Sequence, residues 1–172
     1  IPQGTGIYFA YQLGGPDGSI AEKNIAVVDI GHYTIDMVFF AKGRYIEGTA
    51  SSQPLGVSLL LDDIRSAFYR QYGWAINHQT AQKLLHAREI VMFQDVYRLE
   101  QITNILQAYS SKIAETIDGY YESLPSETDI GIAGGGGVLA LKGCIKLQHK
   151  MFIVADPVTA NAKGYYHYGA GR

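Results

Sequence analysis

Residues 24–42 read Asn-Ile-Ala-Val-Val-Asp-Ile-Gly-His-Tyr-Thr-Ile-Asp-Met-Val-Phe-Phe-Ala-Lys, and this stretch decides the fold of the chain. It begins with an apolar, β-branched run over residues 25–30, which stops at a short polar tip. A second apolar run follows over residues 35–41. Two such runs around a glycine-bearing turn predict a β-hairpin whose polar residues lie together at its tip.

The tip carries groups that suit a phosphate and its metal ion. Gly31 lets the backbone approach a ligand or adopt a positive φ without a clash. Asp29, Thr34 and Asp36 place two carboxylates and a hydroxyl around the same turn. Backbone N–H groups and a hydroxyl can bind phosphate oxygens, and a carboxylate can reach hydrated Mg²⁺. The alternative is a plain hairpin in which aspartate and glycine only form the turn.

Length and composition limit the class of protein. The 172 residues suit one domain with a modest insertion. The net charge of −2 predicts no direct contact with nucleic acid or an anionic membrane. Cys144 is the single cysteine, which fits a reducing compartment, and no apolar run is long enough to span a bilayer. The sequence therefore predicts a cytoplasmic protein, and its start at Ile1 predicts a piece of a longer one.

The hairpin is the centre of a predicted three-stranded meander. A short helix over residues 2–13 and a polar loop over 17–23 precede it, and residues 44–49 supply the third strand. The hydrophobic period then changes from two to 3.6 residues. This segment, which we interpret as an insertion, contains the following predicted elements: a helix over residues 57–72, a second helix capped by Asn77, and a short strand over 90–93.

The second half alternates helices and strands, which predicts parallel pairing and therefore a mixed sheet flanked by helices. Its first helix is expected to run from residue 95 to 124, a length of about 40 Å. Asp156 is the expected N-cap of the last helix, with Pro157 at its first position. The predicted elements in order are a helix over 95–124, a strand over 129–133, a helix over 138–149, a strand over 151–154 and a helix to residue 166.

Four consecutive glycines, at residues 134–137, lie between a predicted strand and a predicted helix. Because they carry no side chains, a flat ligand can lie against the backbone near the helix N-terminus. The alternative is a flexible turn. Both this turn and the one at Gly31 follow strands, and ligands of such sheets bind at the carboxyl ends of strands. Their coincidence favours a ligand site.

These motifs resemble those of the superfamily of actin, heat-shock chaperones and sugar kinases. Residues 29–36 resemble its second phosphate-binding motif, Asp-x-Gly-x-x-Thr-x-Asp, and residues 134–137 resemble its adenosine motif. The order of elements resembles the ribonuclease-H-like half of these proteins. Within the superfamily, the chain is most similar to ParM/StbA-type plasmid-segregation actins and their archaeal relatives. Residues 51–58 resemble the entry to their insertion subdomain, and residues 156–166 resemble their final helix near the interdomain hinge.

The resemblance implies that the chain is the second half of a two-domain protein. Members of the superfamily hold ATP and Mg²⁺ between two such halves, and the first half supplies another phosphate motif with Asp, Gly and often Lys. No part of this sequence matches that first motif. The implied division is subdomain IIA at residues 1–56 and 95–172, with an inserted subdomain IIB at residues 57–94.

The resemblance also implies a ligand, ATP or GTP with Mg²⁺, and a role for each motif residue. Asp29 would hold Mg²⁺ through water, Thr34 would contact phosphate oxygens, and Asp36 would brace the site; these form the implied catalytic set. The implied nucleotide contacts are the tip residues Gly31, His32 and Tyr33 and the adenosine-motif residues Gly134, Gly135, Gly136 and Gly137.

The implied activity is ATP hydrolysis by a bacterial or archaeal actin-like protein that forms nucleotide-dependent filaments. Its partners would be other copies of itself and a DNA-bound adaptor, in plasmid segregation or cytoskeletal organisation. Two alternatives remain open. A metabolite kinase would share both motifs but need a second substrate pocket, and a non-hydrolysing scaffold would fit His32 and Tyr33, which replace the usual small residues at the tip.

Overall fold

The structure is a computed structural model that describes residues 2–14, 18–141 and 149–171. Its helices are α1 Thr5–Gly14, α2 Val57–Tyr72, α3 His78–Ala87, α4 Ile102–Glu122, α5 Gly136–Ala140 and α6 Ala160–Ala170, with a 3-10 helix at Gly18–Glu22. Its strands are β1 Asn24–Ile30, β2 Ile35–Ala41, β3 Arg44–Tyr45, β4 Ser51–Gln53, β5 Glu89–Met92, β6 Asp95–Arg98, β7 Ile130–Gly134 and β8 Met151–Ile153.

The main sheet is mixed, as the sequence predicts. Its strand order is β3-β2-β1-β7-β8, and β4 also pairs with β2. The predicted hairpin is the antiparallel pair β1–β2, with Ile30 opposite Ile35 beside the tip. Strands β1 and β7 are parallel, as are β7 and β8. The carboxyl ends of β1 and β7 therefore lie side by side at one edge of the sheet.

Helices cover both faces of the sheet, which explains why β1 is apolar without alternation. Ile25 and Val27 belong to an apolar cluster with Tyr8 of α1 and Ala160 of α6. The intervening Ala26, Val28 and Ile30 belong to a second cluster, formed with helices α2, α3 and α4. Successive side chains of a strand point to opposite faces, so every residue of β1 after Asn24 is buried.

The insertion begins with α2, whose bounds agree with the prediction. It ends at Gly73, which adopts a left-handed conformation with φ of 78°. Helix α3 follows, and the Asn77 side chain accepts a hydrogen bond from the Thr80 N–H at 2.8 Å, as expected of its cap. Helices α2 and α3 share one apolar cluster with the sheet and α4. The division into subdomains at residues 57–94 stays a prediction.

The expected long helix over residues 95–124 is wrong at its start. Residues Asp95–Arg98 form β6, which pairs with β5 through a turn in which Phe93 and Gln94 have positive φ. Arg98 Nη2 also binds Glu89 Oε2 at 2.6 Å across the pair. Helix α4 has 21 residues and a length of about 31 Å. Pairing with a neighbouring strand overrides the helical spacing of the apolar residues here.

Three smaller expectations also need correction. The third strand is only Arg44–Tyr45, because the chain turns at Gly48 with φ of 80° and re-enters the sheet as β4. The final helix starts after Thr159 rather than at Asp156. Asp156 instead accepts a hydrogen bond from the Thr159 hydroxyl, before the helix begins.

The remaining predicted elements agree with the structure apart from their ends. The loop expected over 17–23 contains the 3-10 helix, and the strand expected over 129–133 is β7. The helix expected over 138–149 is described only as α5, since residues 142–148, and with them Cys144, lie outside the described residues. In the described ranges, no helix combines the length and apolarity that a membrane span requires.

Candidate functional site

The tip between β1 and β2 is closed by one hydrogen bond, from the Gly31 N–H to the Thr34 carbonyl at 2.8 Å. Its carbonyl oxygens are bound by the chain that enters α2. The three bonds run from Gly56 N to Tyr33 O at 3.0 Å, from Val57 N to Gly31 O at 3.1 Å and from Ser58 N to His32 O at 2.8 Å. The tip is therefore held in one conformation by the start of α2.

The N–H groups of the tip are left available. The backbone N–H groups of His32, Tyr33 and Thr34 donate to no acceptor among the described residues. The Tyr33 side chain is 72% exposed, and its ring contacts the exposed His32 ring at 4.5 Å between centroids. Successive free N–H groups in a turn form a concave site for an anion. Because these N–H groups have no acceptor among the described residues, they remain able to bind an anion.

Asp29 and Asp36 lie behind the tip, on the face of the sheet that α1 and α6 cover. They are 3% and 8% exposed. The Thr34 hydroxyl donates to Asp36 Oδ2 at 2.7 Å. Because that bond uses the hydroxyl proton, the Thr34 hydroxyl can offer only its oxygen lone pairs to another group. This contact holds the Thr34 side chain against Asp36.

The Asp29 carboxylate has hydrogen-bond donors around it but no basic partner among the described residues. Its Oδ2 accepts a hydrogen bond from Asn161 Nδ2. Burial raises the pKa of Asp29 and the charge of Asp36 raises it further, while hydrogen bonds from Asn161 and Gln3 lower it. Among the described residues, neither aspartate forms an ion pair. Oxygen donors with uncompensated negative charge fit a hard divalent cation such as Mg²⁺.

The glycine loop packs directly against the tip. Gly134 ends β7 and is the register partner of Asp29. Gly135 has φ of 84°, and its N–H donates to the Pro157 carbonyl at 2.7 Å. A Cβ on Gly135 would overlap Asp29 Oδ1, and one on Gly137 would overlap the Ile30 side chain. These glycines are therefore required for the close approach of loop and hairpin.

Gly136 differs from its neighbours. A Cβ on this residue would have no described atom within 4 Å. It faces a cavity of about 360 Å³ that lies between the tip, the glycine loop and α3. The lining residues are Gly31, His32, Val57, Gln82, Leu85, His86, Gly136, Gly137, Leu139, Ala140 and Val158. Both predicted motifs thus contribute to one cavity.

A family model described as the archaeal actin homologue MreB-like, C-terminal, matches residues 27–146. The chain belongs to this MreB-like family of archaeal actin homologues. The matched residues include the hairpin from Val27 onward, the insertion and the glycine loop. A comparison with curated proteins finds no significant match for this MreB-like chain.

Solved structures show that the MreB-like chain has the actin-like fold. The archaeal actin homologue Ta0583 matches 100% of this chain with 56% of its own, at 18% identity and a TM-score of 0.86. ParM in a 15-stranded filament from Clostridium botulinum matches 100% with 53% of its own, at 22% identity and a TM-score of 0.84. MreB 5 of Spiroplasma citri matches 96% with 58% of its own, at 19% identity and a TM-score of 0.72. This chain spans little more than half the length of each.

The predicted site residues of the MreB-like chain divide into two groups. The structure brings Gly31, His32, Gly136 and Gly137 into the lining of the cavity. The other predicted residues do not line the cavity but lie beside it, either behind the tip, at the exposed turn of the tip or at the end of β7. They are Asp29, Tyr33, Thr34, Asp36, Gly134 and Gly135. The sequence thus predicts that the two motifs meet. Only the tertiary structure shows which of their residues line the cavity and which lie outside it.

Sequence reasoning missed the contribution of α3. Gln82, Leu85 and His86 line the cavity from one side, and Val158 lines it from another. Residues 82 and 86 are four apart, a spacing that places two side chains on the same helix face. Gln82 and His86 beside the apolar Leu85 are the only local sequence signal that α3 lines the cavity. No pattern near Val158 indicates it.

Proposed function

We propose that this chain is the nucleotide-binding half of an actin-like ATPase that binds ATP or GTP with Mg²⁺. The observation that carries the proposal is the cavity of about 360 Å³ that the tip and the glycine loop form together. Its position beside the free N–H groups of the tip supports a ligand with a phosphate at one end. Structures of relatives with bound nucleotide add support, since Ta0583 was solved with ADP and MreB 5 with AMPPNP.

Each motif has a distinct proposed task. The N–H groups of His32, Tyr33 and Thr34 bind phosphate oxygens, and the glycine loop lies along the nucleoside. Asp29 holds the metal through water, while Asp36 fixes Thr34 and thus the turn. Mg²⁺, when bound, supplies charge neutralisation for phosphoryl transfer to water. The residues themselves act by position and electrostatics, so the proposal needs no covalent intermediate.

The proposed division of the chain follows from the same assignment. Residues 1–56 and 95–172 form subdomain IIA, and residues 57–94 form subdomain IIB. The cavity lies where these parts meet, since α3 of the insertion lines it together with the tip and the glycine loop. The other half of the protein would supply the remaining phosphate contacts. We therefore expect residues 1–172 alone to bind ATP weakly, because half of the clamp is missing. Micromolar or tighter binding in a calorimetric titration would contradict that expectation.

The substitution Gly136→Ala tests the site in the full-length protein. A methyl group at this position enters the cavity without touching a described residue. We expect at least a tenfold loss of affinity for a fluorescent ATP analogue and an unchanged melting temperature. Gly169→Ala is the matched control, because its Cβ also has no described atom within 4 Å but lies far from the cavity, near the end of α6. Equal affinity in both variants would place the nucleotide elsewhere.

We further propose that the full-length protein forms nucleotide-dependent filaments, in plasmid or DNA segregation with a DNA-bound adaptor, or in cytoskeletal organisation. A filament structure of ParM from Clostridium botulinum supports this by its shared fold. A contact between different surfaces of successive copies propagates without closing. Pelleting and electron microscopy should show assemblies with ATP and Mg²⁺ that disperse after hydrolysis. A protein that stays monomeric at micromolar concentration would contradict the filament proposal.

The composition of the cavity disfavours a metabolite kinase. A kinase of this fold usually has a carboxylate base beside a second substrate, and the described residues that line the cavity include no aspartate or glutamate. A non-hydrolysing scaffold would bind nucleotide without releasing phosphate. An assay of phosphate release with purified full-length protein separates this scaffold from the proposed ATPase.

A further inference from the structure

Asn161, in the first turn of α6, connects three elements through one side chain. Its Nδ2 donates to Asp29 Oδ2 at the end of β1, a residue 132 positions earlier in the sequence. Its Oδ1 accepts a hydrogen bond from the Ile7 N–H of α1 at 3.2 Å. The Asn161 amide therefore binds the Asp29 carboxylate through its nitrogen and the backbone of α1 through its oxygen.

The backbone around Asn161 is held close to α1. A Cβ on Gly6 would overlap the backbone of Asn161, and a Cβ on Gly164 would overlap the Gly6 carbonyl oxygen. The Tyr165 hydroxyl also donates to the Pro2 carbonyl at 2.8 Å. These contacts fix the two helices against each other. The reach of the Asn161 side chain to Asp29 is consequently set by the packing of α1 and α6.

The chemistry of the contact requires an amide of this length. An ionised carboxylate only accepts hydrogen bonds, and a backbone N–H only donates, so the residue between them must do both. Asparagine does so with its two ends. Aspartate in its place would add a third carboxylate to an already uncompensated pair, and glutamine would carry its amide one methylene too far.

We propose that Asn161 is a positioning residue that orients the Asp29 carboxylate for the metal-bound water and ties this orientation to the α1–α6 pair. The proposal rests on the proposed function, since it concerns how the nucleotide and its Mg²⁺ are held. Binding or release of the metal would then alter the two hydrogen bonds by which Asn161 of α6 contacts Asp29 and α1. By linkage, the free energy by which metal binding favours the paired helices equals the free energy by which the paired helices favour metal binding.

The test compares Asn161→Ala and Asn161→Gln with wild-type full-length protein. We expect the Mg²⁺ concentration that half-saturates nucleotide binding to rise about tenfold or more, the usual effect of losing a partner that orients a metal ligand. Nucleotide affinity in EDTA should change little. Hydrogen exchange should show that nucleotide with Mg²⁺ protects α1 and α6 in the wild type and protects them less in both variants. Asn161→Gln keeps the amide groups and serves if Asn161→Ala does not fold.

Asn77→Ala is the control for a purely structural asparagine, because Asn77 caps α3 and touches neither aspartate. It should lower the melting temperature and leave the Mg²⁺ dependence unchanged. If the Asn161 variants behave like Asn77→Ala, the positioning role is wrong and the proposed function stands. If the wild type binds no nucleotide at any Mg²⁺ concentration, both proposals fail together.

Discussion

Asp29 and Asp36 are register partners across the β1–β2 pair, and both carboxylates are buried. Side chains directly opposite each other on antiparallel strands point to the same face and lie close together. Two buried negative charges in this arrangement oppose folding unless a cation or hydrogen-bond donors compensate them. Asn161 and Gln3 donate hydrogen bonds to Asp29, and Thr34 donates one to Asp36. Burial and mutual repulsion of the two carboxylates therefore destabilise the fold, and a bound cation would reduce this destabilisation.

We predict that Asp29→Asn stabilises the fold at neutral pH while abolishing nucleotide turnover in the full-length protein. Burial raises the pKa of Asp29 above its ordinary value of 3.8, so the folded state binds the proton more tightly than the unfolded state. The free energy of unfolding therefore falls as pH rises from about 4 through the raised pKa. Asparagine at position 29 stays neutral at every pH, so the variant does not lose this free energy of unfolding as pH rises.

Thermal unfolding of the wild type and Asp29→Asn between pH 4 and pH 7 measures the effect. The two melting curves should separate as pH rises. Asp63→Asn is the control, since Asp63 is exposed on α2 and forms no ion pair among the described residues. If Asp29→Asn is less stable than the wild type at pH 7, the carboxylate contributes to the fold and the burial argument is wrong.

The crossing of α1 and α6 predicts a strong effect of Gly164→Ala. The added methyl would overlap the Gly6 carbonyl oxygen, which belongs to the backbone and cannot rotate away. We expect a loss of about 1–3 kcal/mol in the free energy of unfolding, the usual result of overpacking. Gly169→Ala in the same helix meets no described atom and should stabilise by up to about 1 kcal/mol. Urea denaturation distinguishes these opposite signs, and equal effects would exclude the close crossing.

Gly135→Ala should destabilise the junction between tip and glycine loop. The residue has φ of 84°, and its methyl would overlap Asp29 Oδ1 and the Ile30 carbonyl. Backbone strain of this kind costs of the order of 1–3 kcal/mol. Chemical denaturation of Gly135→Ala beside Gly136→Ala provides a matched pair, since the second methyl meets no described atom. Comparable stability of the two variants would contradict the observed packing.

Tyr33→Ala tests whether the bulk at the tip restricts hydrolysis. The side chain is 72% exposed, so its removal should change stability by no more than about 0.5 kcal/mol. Because Tyr33 projects into solvent, we expect the full-length variant to release phosphate at the wild-type rate. A rate several-fold higher would show that the side chain crowds the phosphate in the two-domain protein.

Local patterns determined much of this structure. The alternation of two apolar runs with a glycine-bearing turn specifies the β1–β2 hairpin, since turn and register involve neighbouring residues only. Helix α2 was predicted with its observed bounds, because its apolar residues recur at helical spacing. The structure adds that Gly73 ends the helix in a left-handed conformation. The meeting of the two glycine-bearing turns was also predictable, because parallel strands bring their carboxyl ends to one edge.

Where two local preferences compete, the sequence alone was misleading. Residues 95–98 were predicted to begin the long helix, yet they form β6 because β5 offers a ladder of hydrogen bonds. Asp156 has the character of an N-cap, but it lies before the start of α6 and accepts hydrogen bonds from the Thr159 hydroxyl and the Lys163 ammonium. In both cases the decisive partner is a group that a local pattern does not weigh.

In the candidate site, too, some features follow from local sequence and others depend on the tertiary structure. Sequence alone determined which backbone segments form the tip and the glycine loop, because glycines and turn residues act on their own backbone. Only the tertiary structure placed Gln82 and His86 of α3 on the opposite wall of the cavity and Asn161 against Asp29. Packing of helices on the two faces of the sheet decides these contacts, and packing depends on the shapes of surfaces that are far apart in the chain.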